Sequence, residues 1–338
     1  MKNRILLFLV LSIFSACSSK DKQDSCLERW GVVEYGSSRV KLHISDVNFC
    51  ERKVLRDIYK VDWVVETEKE IKKQTNGAFV LNSKINERTA EVTQEIQENL
   101  GRFKTNKTFG IATGIYRSLF DGKTVLEHYS KVLGAEIQLL TNEEEAKVGL
   151  SSIVARENPQ GQFVVWDFGG NNMQFTLVDG QNIQSLLGFP GSAPIRNSIT
   201  KFLRKKSSPN PITKNKRQQV ETYILSNSFK KLIPSFFPKD VKVFGIGAVL
   251  SLSVGGNIVT MLGLPLQGRT YSLNQVNLLG EKFVELRDNE VGGRYPESQA
   301  TNILAVHAIM DKLGWTSITY SEETLTLGYM VQRLNQQI

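Results

Sequence analysis

Two stretches of this chain share one pattern: apolar residues that end in an acid, a glycine-containing turn, and a second alternating strand. They are residues 31–44, GVVEYGSSRVKLHI, and residues 163–178, FVVWDFGGNNMQFTLV. Each predicts a strand, a tight turn and a strand, and turn glycines let backbone N–H groups approach an anion closely. The acids that end the first strands, Glu34 and Asp167, are suited to hold a cation beside that anion. The repeat predicts a duplicated domain whose halves face each other across a cleft.

The N-terminus has the pattern of an export signal. Lys2 and Arg4 precede an apolar run over residues 5–14 that is too short to cross a bilayer. The following Ser15-Ala16-Cys17 resembles the lipobox of bacterial lipoproteins, so we expect a signal peptide over residues 1–16, lipidation at Cys17 and a polar tether over residues 17–25. An ordinary cleaved signal without lipid is the alternative.

This resemblance also implies a location. A lipidated chain would be anchored to a membrane of the bacterial cell envelope and would face the periplasm. In enterobacterial lipoproteins an Asp after the lipidated Cys favours the inner membrane. Ser18 occupies that position here, which favours the outer membrane.

Two cysteines remain beyond Cys17, namely Cys26 and Cys50. Their midpoint is Ser38, the centre of the first predicted hairpin, so in a paired hairpin they lie opposite each other at its open end. In an oxidising periplasm this arrangement predicts a disulfide.

The charge of the chain is basic and unevenly distributed. Without Lys2 and Arg4 of the signal, 40 basic residues oppose 34 acidic ones, a net charge of +6. Residues 201–219, KFLRKKSSPNPITKNKRQQ, contain seven Lys or Arg and no Asp or Glu. This segment is either a binding surface for a polyanion or for anionic lipid headgroups, or a solvated loop interrupted by prolines. We expect no nucleic-acid partner.

Helical and strand patterns alternate along the rest of the chain, which predicts mixed α/β domains. Asn86 is predicted to begin a helix whose apolar face is continuous and which Gly101 ends. Asn142 is predicted to cap a second helix, and residues 187–194, LGFPGSAP, are predicted to form a loop. The helix face consists of Thr89, Val92, Ile96 and Leu100.

The order of these segments resembles the Ppx/GppA family, the exopolyphosphatases and guanosine pentaphosphate phosphohydrolases of the actin-like ATPase superfold. The family's D-x-G-S-N-S loop is similar to EYGSSR at residues 34–39, and its A-T-x-x-x-R turn to ATGIYR at residues 112–117. Its G-x-E-E-A-R, D-I-G-G-G-S-T-E and G-T-G-G-T segments are similar to NEEEAK, DFGGNNMQ and GIGAV at residues 142–147, 167–174 and 245–249. The resemblance extends over nearly the whole chain beyond the signal.

The resemblance implies an α/β fold of two actin-like (ribonuclease H-like) domains flanking a cleft, at residues 26–155 and 156–338. It implies a hydrolase of polyphosphate or a related phosphoanhydride, with Glu145 and Arg117 as catalytic residues and Mg²⁺ held by Glu34 and Asp167. A homodimer is compatible with it. The implied phosphate-binding residues are Gly36, Ser37, Ser38, Gly169, Gly170, Asn171, Asn172, Gly245 and Gly247.

Several positions depart from the family pattern. Glu34 replaces Asp, Asn171 replaces a loop glycine, Gln174 replaces a second acid and Gln299 falls where the family has Arg. Besides the hydrolase, these departures leave open a binding or sensing protein that has lost turnover, and a structural envelope lipoprotein.

Two site assignments also have a structural alternative. With Asn142 as the N-cap, Glu145 would complete a capping box instead of activating water. Arg117 would then form an ordinary surface ion pair.

Overall fold

The computed structural model describes residues 26–67, 71–73, 79–232, 234–238, 240–293 and 295–336. The predicted signal peptide, Cys17 and the tether therefore lie outside the described residues. Within the described ranges, no helix has the length and apolarity that a membrane span requires.

Thirteen strands are assigned within these ranges. They are β1 (Leu27–Tyr35), β2 (Arg39–Asn48), β3 (Lys53–Val64), β4 (Ile71–Lys73), β5 (Phe79–Leu81), β6 (Lys107–Ala112), β7 (Ile137–Leu139), β8 (Phe163–Phe168), β9 (Asn172–Asp179), β10 (Asn182–Pro190), β11 (Lys242–Ile246), β12 (Thr270–Ser272) and β13 (Ser317–Tyr320).

The α-helices of the same ranges connect these strands, with π-helical turns at Ile224–Ser228 and Val249–Gly256 and a 3₁₀ turn at Pro234–Phe236. They are α1 (Ser83–Arg102), α2 (Gly114–Ser118), α3 (Gly122–Leu133), α4 (Asn142–Glu157), α5 (Ser192–Phe202), α6 (Lys214–Tyr223), α7 (Asn257–Leu262), α8 (Leu273–Phe283), α9 (Asp288–Val291), α10 (Pro296–Leu313) and α11 (Leu325–Gln336).

The two large sheets share one organisation. The first has the order β3-β2-β1-β6-β7, and the second has the order β10-β9-β8-β11-β13-β12. Each sheet has three consecutive antiparallel strands, which are β1, β2 and β3 in the first and β8, β9 and β10 in the second. Parallel strands continue the sheet on the other side, with β6 and β7 beside β1, and β11 and β13 beside β8. The hairpins β1–β2 and β8–β9 contain the two repeated sequence patterns. The prediction of two α/β halves, each beginning with such a hairpin, is confirmed.

A shared core holds the two halves together. Buried residues of β1, such as Trp30 and Val32, belong to one apolar cluster with Phe163 of β8 and Leu325 of α11. Helix α11 packs against α4 and β1, so the end of the chain returns to the first sheet. Burying apolar surface between the halves fixes the distance between the two hairpin turns.

Two predicted boundaries are wrong for identifiable reasons. Helix α1 begins four residues before the predicted start, because Asn82 is the N-cap and its side chain accepts a hydrogen bond from the N–H of Lys84. The predicted loop at residues 187–194 is the end of β10 and the start of α5. Pro190 is tolerated in β10 because this strand lies at the sheet edge. The predicted apolar face of α1 is buried, as expected.

The first hairpin is closed by a disulfide. Cys26 and Cys50 are bonded, with their Cα atoms 5.5 Å apart. The register pairs Leu27 with Asn48, which places both cysteines at the open end of the hairpin, opposite the turn at Ser38.

Candidate active site

The turns of the two hairpins meet at the floor of a cleft. Each is a tight turn, since the N–H of Gly36 donates to the carbonyl of Arg39 (2.9 Å) and the N–H of Gly169 donates to the carbonyl of Asn172 (3.0 Å). A Cβ atom at Gly170 would lie 2.5 Å from Oγ of Ser37. The two turns therefore approach each other so closely that any larger residue at Gly170 would displace the Ser37 hydroxyl.

The cleft between the halves has a volume of about 490 Å³. The three acids singled out from the sequence, Glu34, Glu145 and Asp167, all lie on its wall. The predicted phosphate-binding residues that also line it are Gly36, Ser37, Ser38, Gly169, Gly170, Asn172 and Gly247.

Two predicted phosphate-binding residues do not line the cleft. Gly245 lies inside β11, where a Cβ atom would come within 2.8 Å of the Leu250 side chain, so this glycine serves packing. The carbonyl of Asn171 accepts the N–H of Gly191 (3.0 Å) and so joins the second turn to the start of α5. At Gly247, φ is +97° and a Cβ atom would lie 2.5 Å from the carbonyl oxygen of Phe168, so glycine is required there.

The start of α4 determines what Glu145 is free to do. Thr141, not Asn142, is the N-cap: its hydroxyl accepts the N–H of Glu144 (3.2 Å), and the Glu144 carboxylate accepts the N–H of Thr141 (2.7 Å). Glu144 therefore completes the capping box, and the alternative in which Glu145 does so is wrong. Glu145 is one position further along and faces the cleft.

Glu145 is buried, with 4% of its surface exposed. Its Oε2 accepts hydrogen bonds from NH2 of Arg117 (2.9 Å) and from Nδ2 of Asn172 in the second turn (3.1 Å). Burial raises the pKa of Glu145, the charge and hydrogen bond of Arg117 lower it, and the negative charge of Glu34 raises it further. The net direction is upward.

Arg117 stands behind Glu145 and does not line the cleft. It also donates to the carbonyl of Leu140 and to Oδ1 of Asn142, the latter at 2.5 Å. Its side chain is 22% exposed. Arg117 is thus neither an ordinary surface ion pair nor an open anion ligand. Its contacts fix the Glu145 carboxylate and the start of α4.

Glu34 is buried at the end of β1 and is paired across the hairpin with Lys41. The Lys41 ammonium lies 2.8 Å from Oε1 of Glu34. The other carboxylate oxygen, Oε2, is buried and has no hydrogen-bond partner in the described part of the chain. Lys41 was not predicted, although Glu34 and Lys41 are equidistant from the turn centre between Ser37 and Ser38, a spacing which indicates that they face each other.

Asp167 occupies the matching position in the second hairpin. Its cross-strand partner is Gln174, whose Nε2 donates to Oδ2 of Asp167 (2.8 Å). Burial raises the pKa of Asp167 well above its usual range, the negative charges of Glu145 and Glu34 raise it further, and Lys41 and Gln174 oppose them. Burial and the two neighbouring carboxylates thus disfavour a third negative charge in this part of the cleft.

A smaller cavity of about 210 Å³ continues from the two turns along the start of α5. Gln299, which departs from the family pattern, lies on its wall and accepts a hydrogen bond from Asn257 (3.1 Å). Arg196 of α5 also lines this cavity and is paired with Glu297 (3.1 Å). Arg196 was not predicted, since a single Arg between the predicted loop and the basic segment carries no pattern.

Ion pairs border the far side of the cleft. Lys60 of β3 lies 3.0 Å from the buried carboxylate of Glu323, which also accepts from Arg156 of α4. Asp57 is paired with Arg156 (2.9 Å), and a hydrogen bond from His43 holds the pKa of Asp57 well below its usual range. These contacts join β3, α4 and the segment before α11.

Comparison with known structures agrees with this architecture. A crystal structure of the Ppx/GppA family member of Aquifex aeolicus superposes with a TM-score of 0.73 at 16% sequence identity, covering 92% of this chain and 99% of that one. An exopolyphosphatase from Cytophaga hutchinsonii superposes with a TM-score of 0.74 at 14% identity, covering 91% of this chain and 98% of that one. At such low identity the likeness shows the fold alone.

Sequence comparison identifies the family. Among curated proteins, none has a sequence that matches this chain. The model of the Ppx/GppA phosphatase family matches residues 66–335, which is most of the chain. The chain therefore belongs to the Ppx/GppA phosphatase family.

Proposed function

We propose that this protein is a phosphoanhydride hydrolase of the exopolyphosphatase type, which releases the terminal phosphate of polyphosphate or a related compound. The observation that carries the proposal is the buried Glu145 carboxylate, held by Arg117 and Asn172 and facing two glycine turns across one cleft. A base in that position faces two glycine turns, the kind of backbone that a phosphate can approach closely.

The binding of a polyanion follows from the two turns and from Lys41, the cation paired with Glu34. Gly36 and Gly169 permit backbone approach to a phosphate, and the Lys41 ammonium lies beside them on the cleft wall. Because Glu34, Glu145 and Asp167 share this cleft, an anionic substrate meets repulsion that Lys41 alone does not cancel. A further cation would remove that repulsion.

The chemistry of the donors fits Mg²⁺ as this cation. Oε2 of Glu34 is buried and without a hydrogen-bond donor among the described residues, and Asp167 lies across the cleft from it. No group of three or more His, Cys, Asp or Glu side chains in the described ranges is placed to hold a metal ion. Mg²⁺ is commonly held by one or two carboxylates, water and substrate phosphate, so Glu34 and Asp167 would suffice. Bound there, Mg²⁺ would supply neutralising charge to the phosphate oxygens.

The proposed step is an attack of water on the terminal phosphorus. Both protein donors to Glu145 reach Oε2, which leaves Oε1 without a donor among the described contacts and able to accept a proton from water. As the water oxygen bonds to phosphorus, its proton passes to Glu145 and the bridging P–O bond breaks, with its electron pair leaving on the remaining chain. The raised pKa makes Glu145 a stronger base than an exposed glutamate.

The test is phosphate release by the full chain with polyphosphate and Mg²⁺, with a chelator as the matched control. We expect release that the chelator abolishes. A second candidate, a phosphate-binding or sensing protein, is favoured by Gln174, an amide where the family pattern has a second acid. Saturable polyphosphate binding without any release would establish that second function instead.

We further propose that the protein acts in the bacterial envelope, lipid-anchored at Cys17, facing the periplasm and, because residue 18 is Ser, at the outer membrane. Substitution of Cys17→Ser should abolish acyl labelling and release the protein into the soluble periplasmic fraction. Unchanged labelling and fractionation would contradict this proposal.

A further inference from the structure

Helix α5 connects the cleft to the basic segment of the chain. Its first residues rest on the second turn, because the N–H groups of Ser192 and Ala193 donate to the carbonyls of Gly169 (3.1 Å) and Gly170 (2.8 Å). The helix has 11 residues and is about 16 Å long at 1.5 Å per residue. Its other end, Phe202, is therefore one helix length from the candidate active site.

One face of α5 is accessible along this whole length. Ala193 borders the smaller cavity, and Asn197 and Lys201 follow at intervals of four residues, so the three side chains lie on one face. Asn197 and Lys201 are exposed, and Arg204 continues the exposed surface beyond the helix end. The face passes from a neutral start beside the cavity to a basic end.

The cations of the basic segment differ in what they contact. Lys205 donates to the carbonyl of Pro211 (2.6 Å), and its pKa is lowered by burial. Arg217 is paired with Glu221 (3.1 Å). These two therefore serve the local structure.

The other five cations of the segment are exposed. Lys214 is paired with Glu285 (3.6 Å) and Lys216 donates to Gln219 (2.9 Å), which leaves Lys201, Arg204 and Lys206. Within the described ranges, no acidic side chain forms an ion pair with any of them. The helix end that carries Lys201 is fixed, since Phe202 stacks on Tyr223 with ring centroids 4.2 Å apart. The result is a positively charged surface in a defined position relative to the cleft.

We propose that Lys201, Arg204 and Lys206 form a distal binding surface for long-chain polyphosphate, whose terminal phosphate lies in the cleft and whose next units follow α5. This inference rests on the proposed function and narrows its substrate to a long linear polyanion. A short phosphate compound held in the cleft would not reach a surface about 16 Å away. Because α5 runs from the cleft to these cations, one polyphosphate chain can bind at the cleft and at the cations together. A membrane surface could bind the cations without any connection to the cleft, so the arrangement favours polyphosphate.

The test compares two probes, long-chain polyphosphate and tripolyphosphate, in equilibrium binding at low salt. The full chain carries Cys17→Ser, which removes the acylation site, and Glu145→Gln, which slows turnover so that binding can be measured. Added K201Q/R204Q/K206Q should weaken binding of the long chain about tenfold, since three exposed charge contacts are lost, and leave tripolyphosphate affinity at its starting value.

A matched control is K131Q/K282Q/K312Q, which removes three exposed lysines from the last turns of other helices. This control should retain long-chain affinity. An equal loss in both triple variants would show a general charge effect and overturn the proposal, as would unchanged affinity in K201Q/R204Q/K206Q. Loss of binding to phosphatidylglycerol vesicles, with polyphosphate affinity intact, would assign the surface to a membrane instead.

The outcome is separable from that of the proposed function. Binding is measured in the Glu145→Gln chain, where turnover is slowed, so a length-dependent loss in the variant supports the distal surface even when the wild-type chain releases no phosphate. Phosphate release by the wild-type chain, combined with equal binding in all variants, would retain the hydrolase and overturn the distal surface.

Discussion

The two hairpins that form the cleft have the same backbone plan but different residues opposite their acids. In the first, Glu34 faces Lys41 in register and the ammonium lies 2.8 Å from the carboxylate. In the second, Asp167 faces Gln174 and receives an amide hydrogen bond of the same length, 2.8 Å. One acid has a full positive charge beside it and the other has only a dipole.

This difference shows how one cross-strand residue sets the electrostatics of a repeated motif. No cation is paired directly with Asp167, and its pKa is raised by burial and by Glu145 and Glu34, against a smaller opposing effect of Lys41. The second hairpin is therefore the part of the cleft that gains most from an added cation, and the first is the part that already holds one.

The hairpins also differ in how they are supported. The first is closed by the Cys26–Cys50 disulfide at the end opposite its turn. The second has no such bond and instead continues through β10 into α5, which rests on the turn itself. The first turn is thus stabilised through a bond at the far end of its hairpin, and the second through direct hydrogen bonds from α5.

The largest expected effect concerns Glu145, the residue between the two hairpins. Glu145→Gln keeps the shape of the side chain and removes the base, so phosphate release should fall by roughly 10² to 10⁴-fold. The measurement is initial-rate phosphate release, with the free energy of unfolding recorded in parallel.

Thr141→Ala is the matched control for this substitution. It should cost about 1 kcal/mol of stability through loss of the N-cap and leave the rate per folded molecule nearly unchanged. A wild-type rate in Glu145→Gln would end the catalytic assignment.

The next effect concerns the disulfide, which only the first hairpin has. Replacing Cys26 and Cys50 by Ser should lower the free energy of unfolding by about 3 kcal/mol, because the bond closes a loop with a sequence separation of 24 residues. Urea unfolding checks this prediction, and reduction of the wild type should produce the same loss. Equal midpoints before and after reduction would show that the bond contributes no stability.

A smaller effect is expected from exchanging the cross-strand partners. Lys41→Gln gives the first hairpin the partner of the second and should cost about 1 to 2 kcal/mol, since the Glu34 carboxylate is buried but Lys41 is partly exposed. It should also weaken polyphosphate binding, because the cleft loses its nearest cation. Unchanged stability and affinity would show that Lys41 stabilises neither the folded first hairpin nor bound polyphosphate.

The repeated hairpins were predictable because an apolar run that ends in an acid and is followed by glycines is compatible with few structures other than a strand and a tight turn. The partner of each acid was not predicted, since it depends on register: Lys41 and Gln174 are identified only once the turn centres are known. The N-cap of α4 was misassigned because Thr141 and Asn142 are adjacent and both suit a cap, and the extended backbone of Thr141 (φ −68°, ψ 170°) decides between them.

Residues that act through tertiary contacts were harder to predict. Arg117 and Glu145 are 28 positions apart, and their 2.9 Å contact depends on how α2 and α4 meet. The family resemblance supplied both as catalytic residues. In the structure Arg117 supports the Glu145 carboxylate, a contact that no local sequence pattern encodes.

The smallest expected effect is a difference between wild type and Asp167→Asn in how the free energy of unfolding depends on pH. The folded-state pKa of Asp167 is raised, so protonation of this carboxyl stabilises the folded protein. This contribution is fully present below the unfolded pKa of about 4 and is lost as the pH rises through the folded pKa. Without Mg²⁺, the wild type should therefore gain stability relative to Asp167→Asn as the pH falls from about 7 to about 4.

Urea unfolding of both proteins across this range provides the measurement. Asp57 has a lowered pKa and loses its contribution in acid, but it does so equally in both proteins and cancels in the difference. Because Asp167 and Glu145 interact, the slope belongs to the pair. Gln174→Lys, which gives the second hairpin the kind of partner found in the first, should flatten the slope. Parallel profiles for wild type and Asp167→Asn would show that the pKa of Asp167 is not raised in the folded protein.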